Sequence, residues 1–290
     1  MSNERDWDLP IETAKDGLQR NIARRDYALV RQSFRLIMDQ GETYELALTD
    51  EASARWERIG ERPLQVAYLC MRANETAWMV TFMEGETTNV TVVMDKLNGL
   101  ATILRSTLGA YPARPKLTMQ TTDFGFIDTL GVEPSSRRHF FSSDLVGKKI
   151  AWHYSPVVTI THIYSSAHSI RSSLNDMKPL PETATPEQRR ECENRAERWG
   201  RVFFEEPCTY IKIQDHLYLV TFREENRNRV DSSQGGGDLL VLVDTLRLHD
   251  VGRTFGQGPD GKPRFNLLTA SGELVHSPDP MDTAPSPYWI

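Results

Sequence analysis

The sequence predicts an all-β protein of two tandem antiparallel barrels, with a helix before the first and a helical insertion in the second. Three observations carry this: an internal repeat, strand-period alternation in most apolar segments, and helical pattern confined to two stretches. The repeat is plainest in Trp78-Met79-Val80-Thr81-Phe82-Met83-Glu84 and Tyr218-Leu219-Val220-Thr221-Phe222-Arg223-Glu224. Both run aromatic, x, Val, Thr, Phe, x, Glu, and Glu84 and Glu224 lie 140 positions apart. Each copy continues into an apolar strand ending in aspartate, at Asp95 and at Asp244, now 149 positions apart. The nine residues gained fall in Asn226 to Asp238, which holds Gly235-Gly236-Gly237 and reads as a lengthened hairpin loop. Each copy then reaches a Thr-x-Gly, at Thr107-Leu108-Gly109 and Thr254-Phe255-Gly256.

In chain order, residues 1–28 form an N-terminal segment whose helical pattern runs from Glu12 to Tyr27. Residues 29–111 form the first barrel, with Asn98-Gly99 as a hairpin turn. Pro112, Pro115 and Pro134 interrupt residues 112–139, which read as a linker. Residues 140–276 form the second barrel, with β-branched and aromatic alternation in Ile150 to Tyr164, Tyr210 to Phe222 and Leu239 to Val243. Its opening strand begins at Leu145-Val146, which match Leu29-Val30 at an offset of 116. The step from 116 to 140 demands 24 extra residues, placed at Asp176 to Gly200. There Thr185-Pro186-Glu187-Gln188 reads as a capping box with proline at N1, opening a surface helix to Trp199. Residues 277–290 carry four prolines and read as a tail.

Composition narrows the function classes. The chain has 290 residues, 39% hydrophobic and 26% charged, enough for real cores. A net charge of -6 without a long basic block disfavours nucleic acid. No apolar run approaches the roughly 20 residues that span a bilayer, and no signal peptide is read at the start, so a cytoplasmic protein without membrane partners is expected. Cys70, Cys192 and Cys208 are few and far apart, which points to free thiols rather than disulfides or zinc.

The repeat, the strand motif Val-Thr-Phe-x-Glu, the segment from Gly147 to Tyr154 and the ending Gly252-Arg253-Thr254-Phe255-Gly256 resemble the MoaF family. The resemblance covers roughly Leu29 to Val275 and implies two calycin-like (lipocalin-like) barrels. A second resemblance is to single-barrel phenolic acid decarboxylases. Leu145-Val146-Gly147-Lys148 is similar to the start of their first strand, Trp152 and Tyr154 stand at its two tyrosine positions, and Thr221-Phe222-Arg223-Glu224 is similar to the strand bearing the catalytic carboxylate. In the first copy Leu36 and Met38 occupy the tyrosine positions, so the second barrel is the implied host of chemistry. This resemblance also implies Arg171 as a clamp on a substrate carboxylate.

Alternation places Tyr218, Val220, Phe222 and Glu224 on one strand face. If that face is interior, Glu224 sits in low dielectric and suits a general acid or base. The structural alternative is a rim carboxylate paired with arginine, and it weighs more for Glu84. Trp152 and Tyr154 share a face that could pack and hydrogen-bond a flat ligand, and Tyr164 shares a face with His162. All seven histidines, from His139 on, lie after the first barrel, and a His162–Glu224 pair could move a proton. The expected function is a cofactor-independent lyase, decarboxylase-like enzyme or isomerase acting on a small aromatic or apolar metabolite. Glu224, Tyr154 and His162 would be catalytic; Trp152, Tyr164, Arg171, Tyr218 and Phe222 would bind substrate; no metal or other cofactor is expected. The alternative is a binding barrel without catalysis. The first barrel is then structural, with a homodimer as its expected assembly.

Overall fold

The computed structural model describes residues 23–154, 158–177, 203–226, 237–257 and 261–276, with 182, 185–186 and 189–190 as separate positions. Strands β1 (Ser33–Met38), β2 (Thr43–Leu48), β3 (Ser53–Arg58), β4 (Leu64–Arg72), β5 (Ala77–Glu84), β6 (Thr88–Asp95), β7 (Leu100–Thr107) and β8 (Met119–Ile127) follow one another up and down. They close into a barrel through β1 and β8. After a short strand, β9 (Phe140–Phe141), the second meander runs through β10 (Lys149–His153), β11 (Val158–Ser166), β12 (Ser169–Met177) and β13 (Phe203–Gln214). It continues through β14 (Leu217–Arg223), β15 (Gly237–Asp244), β16 (His249–Gln257) and β17 (Pro263–Leu274). Pairing of β10 with β17 and of β12 with β13 closes this ring of eight, and β9 adds outside β13. Closure leaves no exposed edge in either ring.

The ladders carry the repeat with one register. Leu36 pairs with Tyr44 as Trp152 pairs with Ile160, and Val80 pairs with Val92 as Val220 pairs with Val241. On the closing ladders Leu36 faces Ile127 where Trp152 faces Gly272. Leucine and isoleucine are thus exchanged for tryptophan and glycine. A Cβ on Gly272 would lie 2.6 Å from Trp152 Cζ3, so the indole occupies the space that the missing side chain vacates.

Several sequence expectations change. Leu29-Val30 and Leu145-Val146 are not strand; they are turns in which Leu29 and Leu145 plug their cores. Both turns pass through a left-handed residue, Arg31 (φ 64) and Gly147 (φ 85), whose amides donate to Leu48 O and Tyr164 O. The Thr-x-Gly endings do not correspond, because the offset stays at 149 and sets Thr107 against Gly256 and Arg105 against Thr254. Residues 112–139 contain β8, the strand that closes the first barrel. The described elements are strands and one 3-10 turn, Asp128–Leu130. Of the expected helical insertion, Pro186, Arg189 and Arg190 are helical and Arg189 N donates to Thr185 O at 3.0 Å, but no helix stands among the described elements. Residues 23–27 are irregular, with Asp26 N donating to Cys70 O, while 12–22 lie outside the described residues. Asp176 and Met177 end β12, and most of the remaining insertion lies outside the described residues, as do most of the glycine-rich loop, Cys192 and the tail.

The barrels pack through the same outward face of each copy. Met71 and Ile211, Ala77 and Leu217, and Met79 and Leu219 occupy equivalent positions in one shared apolar cluster. The pseudo-two-fold shows in one pair, Asn74 Nδ2 donating to its equivalent Gln214 Oε1 at 2.8 Å. Beside the cluster the fully buried Arg253 pairs with Asp238 and donates to Thr91 (3.3 Å) and Ser106 (3.0 Å) of the first barrel. Asp238 and Thr221 also accept from Gln120 of β8, at 2.6 and 2.7 Å. Burial alone would raise the Asp95 carboxyl, but contacts from His139, Asn98 and Gln214 outweigh it and hold the group below 3.8.

Gly272→Ile should overpack the second core and cost about 1–3 kcal/mol, and adding Trp152→Leu should recover most of it by recreating the first copy's pair. Urea titration of the two single variants and the double checks this; additive losses would count against it. For Asp95, a depressed folded value means that its stabilisation is complete above 3.8 and lost as pH falls through the folded value. Asp95→Asn should therefore weaken the protein at pH 7 and flatten its acid sensitivity, measured as the gap between denaturation midpoints at pH 7 and pH 3.

Candidate functional site

Corresponding interior positions show how the two barrels differ. In the first, Tyr44 and Trp56 stack at 4.8 Å, and Trp56 meets Phe82 at 5.1 Å. Trp56 Nε1 donates to Glu84 Oε1 at 2.6 Å, Arg105 Nε bridges Glu84 Oε2 at 3.3 Å, and the Arg105 guanidinium covers Tyr44 at 5.0 Å. Glu84 is therefore a rim carboxylate held by an indole and an arginine, part of a plug across one end of the barrel.

The register puts smaller groups at most of the equivalent places of the second barrel. Ser172 stands for Trp56, Thr254 for Arg105, Gly252 for Ile103, Cys208 for Tyr68 and Ile160 for Tyr44, while the buried Phe204 and Glu206 stand for Leu64 and Val66 and are the larger members of their pairs. Gly252 cannot be refilled, because a Cβ there would lie 2.1 Å from Leu240 O. Deeper in, the exchange reverses. Leu36, Met38, Leu46, Leu48 and Cys70 give way to Trp152, Tyr154, His162, Tyr164 and Tyr210, all buried. Up-and-down topology also gathers the β12–β13 and β14–β15 connections, which carry both of the second copy's extra segments, at the end that corresponds to the first barrel's plug.

The floor of this barrel interior is aromatic and polar together. Tyr164 meets Tyr210 at 5.7 Å and His162 at 6.4 Å, and His162 meets Phe222 at 5.6 Å. Tyr154 OH donates to Asp250 Oδ2 at 2.9 Å, and both residues are buried. Tyr210 OH donates to Ser169 O at 2.6 Å. Burial raises the Tyr164 phenol, the Trp152 indole N–H opposes the rise, and the Asp250 carboxylate adds to it. Yet neither Trp152 Nε1 nor Tyr164 OH completes a hydrogen bond of normal geometry among the described residues. The indole N–H reaches the phenol as a hydrogen-bond donor would, but short of the geometry of a full bond. Burial likewise raises Tyr210 and Cys208, which keeps both protonated.

The expected site residues divide. Trp152, Tyr154, His162, Tyr164 and Phe222 come together in the second core, and Tyr218 lines it while its hydroxyl reaches Asp144 at 3.1 Å. Arg171 lies on the opposite face of β12, its Nε 3.6 Å from Glu205 Oε2, so it does not face the aromatic floor. Glu224 follows the end of β14, half-buried, with its amide on Gly237 O at 2.9 Å. It stands at the mouth rather than on the floor. Sequence reading missed Asp250, where the first copy has Ala101, and Glu206, where it has Val66. Glu206 is buried and accepts from Asn226 N at 2.8 Å. The alignment at offset 149 was the signal that could have exposed Asp250 as an acid on an inward position. Among the described residues no group of three His, Cys, Asp or Glu is placed to hold a metal, and no helix is long and apolar enough to cross a membrane.

Residues 5–110 match the MoaF N-terminal domain family, a match that stops short of β8. A search of curated proteins returns no match. A solved structure from Burkholderia vietnamiensis, described provisionally as a beta-lactamase, is 16% identical and aligns over 46% of this chain and 96% of its own, with a TM-score of 0.29.

Removing the phenol of Tyr154 would leave the buried Asp250 carboxylate short of a donor. Tyr154→Phe should lower stability by about 1–3 kcal/mol, and Asp250→Ala with Tyr154→Phe should cost less than the sum of the two single changes. Thermal denaturation of the four proteins reads the coupling; strict additivity would contradict it.

Proposed function

We propose that the chain holds a small, flat, largely apolar molecule inside its second barrel. One observation carries the reading: two buried polar groups, Trp152 Nε1 and Tyr164 OH, have no hydrogen-bond partner among the described residues and sit on an aromatic floor. Buried polar groups are ordinarily satisfied, and a pair left open beneath a wall of small side chains suits a ligand that satisfies them. The plug of Tyr44, Trp56, Arg105 and Glu84 argues that the first barrel is a scaffold.

A second reading, proton-transfer catalysis as a lyase or isomerase, is favoured by the Tyr154–Asp250 pair. A buried carboxylate hydrogen-bonded to a phenol is a proton acceptor and donor in contact, close to where the ligand would lie. On this reading Asp250 takes the role first assigned to Glu224, and Glu224 guards the mouth.

A thermal-shift screen with hydroxycinnamates, catechols and arylamines tests both readings. Tyr164→Phe removes an unsatisfied hydroxyl and should leave the ligand-free melting temperature unchanged or higher, while shrinking the shift produced by a hit. A large drop in the ligand-free protein would show that the hydroxyl is already satisfied, against the binding reading. A hit consumed by wild type and held unchanged by Asp250→Asn would establish catalysis; turnover lost only in Glu224→Gln would return the chemistry to the mouth.

A further inference from the structure

The interior of the second barrel also says what kind of oxygen it would receive. Trp152 Nε1 is a donor and never an acceptor. The Tyr164 phenol is fully buried and its deprotonation is strongly opposed, so it too presents a proton. The two residues lie on adjacent strands, β10 and β11, close enough for the indole N–H to act on the phenol. Neither group has an acceptor among the described residues. Two donors so close together, neither with a full hydrogen bond, suit a single oxygen with two lone pairs.

The charge of that oxygen follows from its surroundings. Asp250 and Glu206 are buried acids on inward positions of the same barrel. Arg253 and Arg171 lie on outward positions, Arg264 is exposed, and Lys212 stands at the rim between Asp144 (3.2 Å) and Asp215 (3.1 Å). No arginine or lysine among the described residues is buried facing this interior. Apart from the His162 imidazole, an anion would meet carboxylates without a cation to balance it, whereas a neutral carbonyl needs only the two donors.

We propose that the second barrel selects a neutral carbonyl compound carried on a flat apolar body, its oxygen accepting from Trp152 Nε1 and Tyr164 OH. The inference rests on the binding reading above and adds the functional group recognised. It also sets the Tyr154–Asp250 pair beside a polarised carbonyl, where removal of a proton from the adjacent carbon by the Asp250 carboxylate would leave an enolate oxygen held by the two donors.

Three probes of one shape separate the outcomes: 2-acetonaphthone, 2-ethylnaphthalene and 2-naphthoate, titrated calorimetrically into the full chain at pH 7. The ketone should bind roughly tenfold or more tightly than either of the others. Its bound C=O stretch should shift to lower frequency in infrared difference spectra. Tyr164→Phe should erase most of the ketone's advantage and leave the hydrocarbon's affinity unchanged, and Trp152→Phe should lower the ratio of ketone to hydrocarbon affinity; the hydrocarbon also reports that a variant is folded. Equal binding of ketone and hydrocarbon would overturn the carbonyl inference and leave the chamber standing. Tightest binding by naphthoate would do the same and place a cationic group at the floor. If none of the three binds wild type, the chamber reading fails, and the carbonyl inference fails with it.

Discussion

The interior of an eight-stranded barrel is just wide enough for side chains to fill, and that fixed volume constrains everything else in this molecule. A large residue on one strand must be met by a small one opposite. The first copy answers with Leu36 against Ile127, the second with Trp152 against Gly272. The same limit turns the first barrel into a solid, with Trp56 and Tyr44 stacked across it. In the second it moves bulk deeper, to Trp152, Tyr154, Tyr164 and Tyr210, and leaves Ser172, Gly252 and Thr254 where the first copy has its plug.

Much of this was legible in the sequence where strands are central and both faces are covered. Val80-Thr81-Phe82 and Val220-Thr221-Phe222 keep their identity because the inward residues fill cores and the outward threonines enter buried polar contacts, Thr81 with Val90 O inside the first barrel and Thr221 with Gln120 of the other barrel. β8 was missed because Thr121, Thr122 and Asp123 break the apolar alternation and prolines precede them. Leu29 and Leu145 read as strand because their role is to fill a core, and a turn does that as well as a strand. Gly147 advertises the left-handed turn that Arg31 conceals. Asp250 was not legible because its partner Tyr154 lies 96 positions away, and only the closing ladders bring β16 beside β10 by way of β17. Arg171 was misplaced because its side of the strand depends on the β11–β12 register, which the chain alone does not declare.

The contact between the barrels has the form of a self-complementary dimer interface folded into one chain. Equivalent residues meet equivalent residues, as Asn74 meets Gln214, which is the signature of two-fold packing. Fusion then permitted asymmetry. Leu104 in one copy became Arg253 in the other, and Asn89 became Asp238, so that the buried ion pair is made by one barrel and solvated by hydroxyls of the other. A true homodimer would have had to bury two such pairs.

Closure by first and last strands has a consequence for the order in which the molecule comes into being. β8 leaves the ribosome well before β17 is made, so the first ring can shut early, whereas the second cannot shut until β17 emerges. During that interval the outward face bearing Met71, Met79 and Val93 has no counterpart to cover it. The growing chain therefore carries a finished barrel with a sticky side. A truncation anywhere before Leu274 would make that condition permanent, so such products are expected to be a burden on chaperones rather than inert fragments.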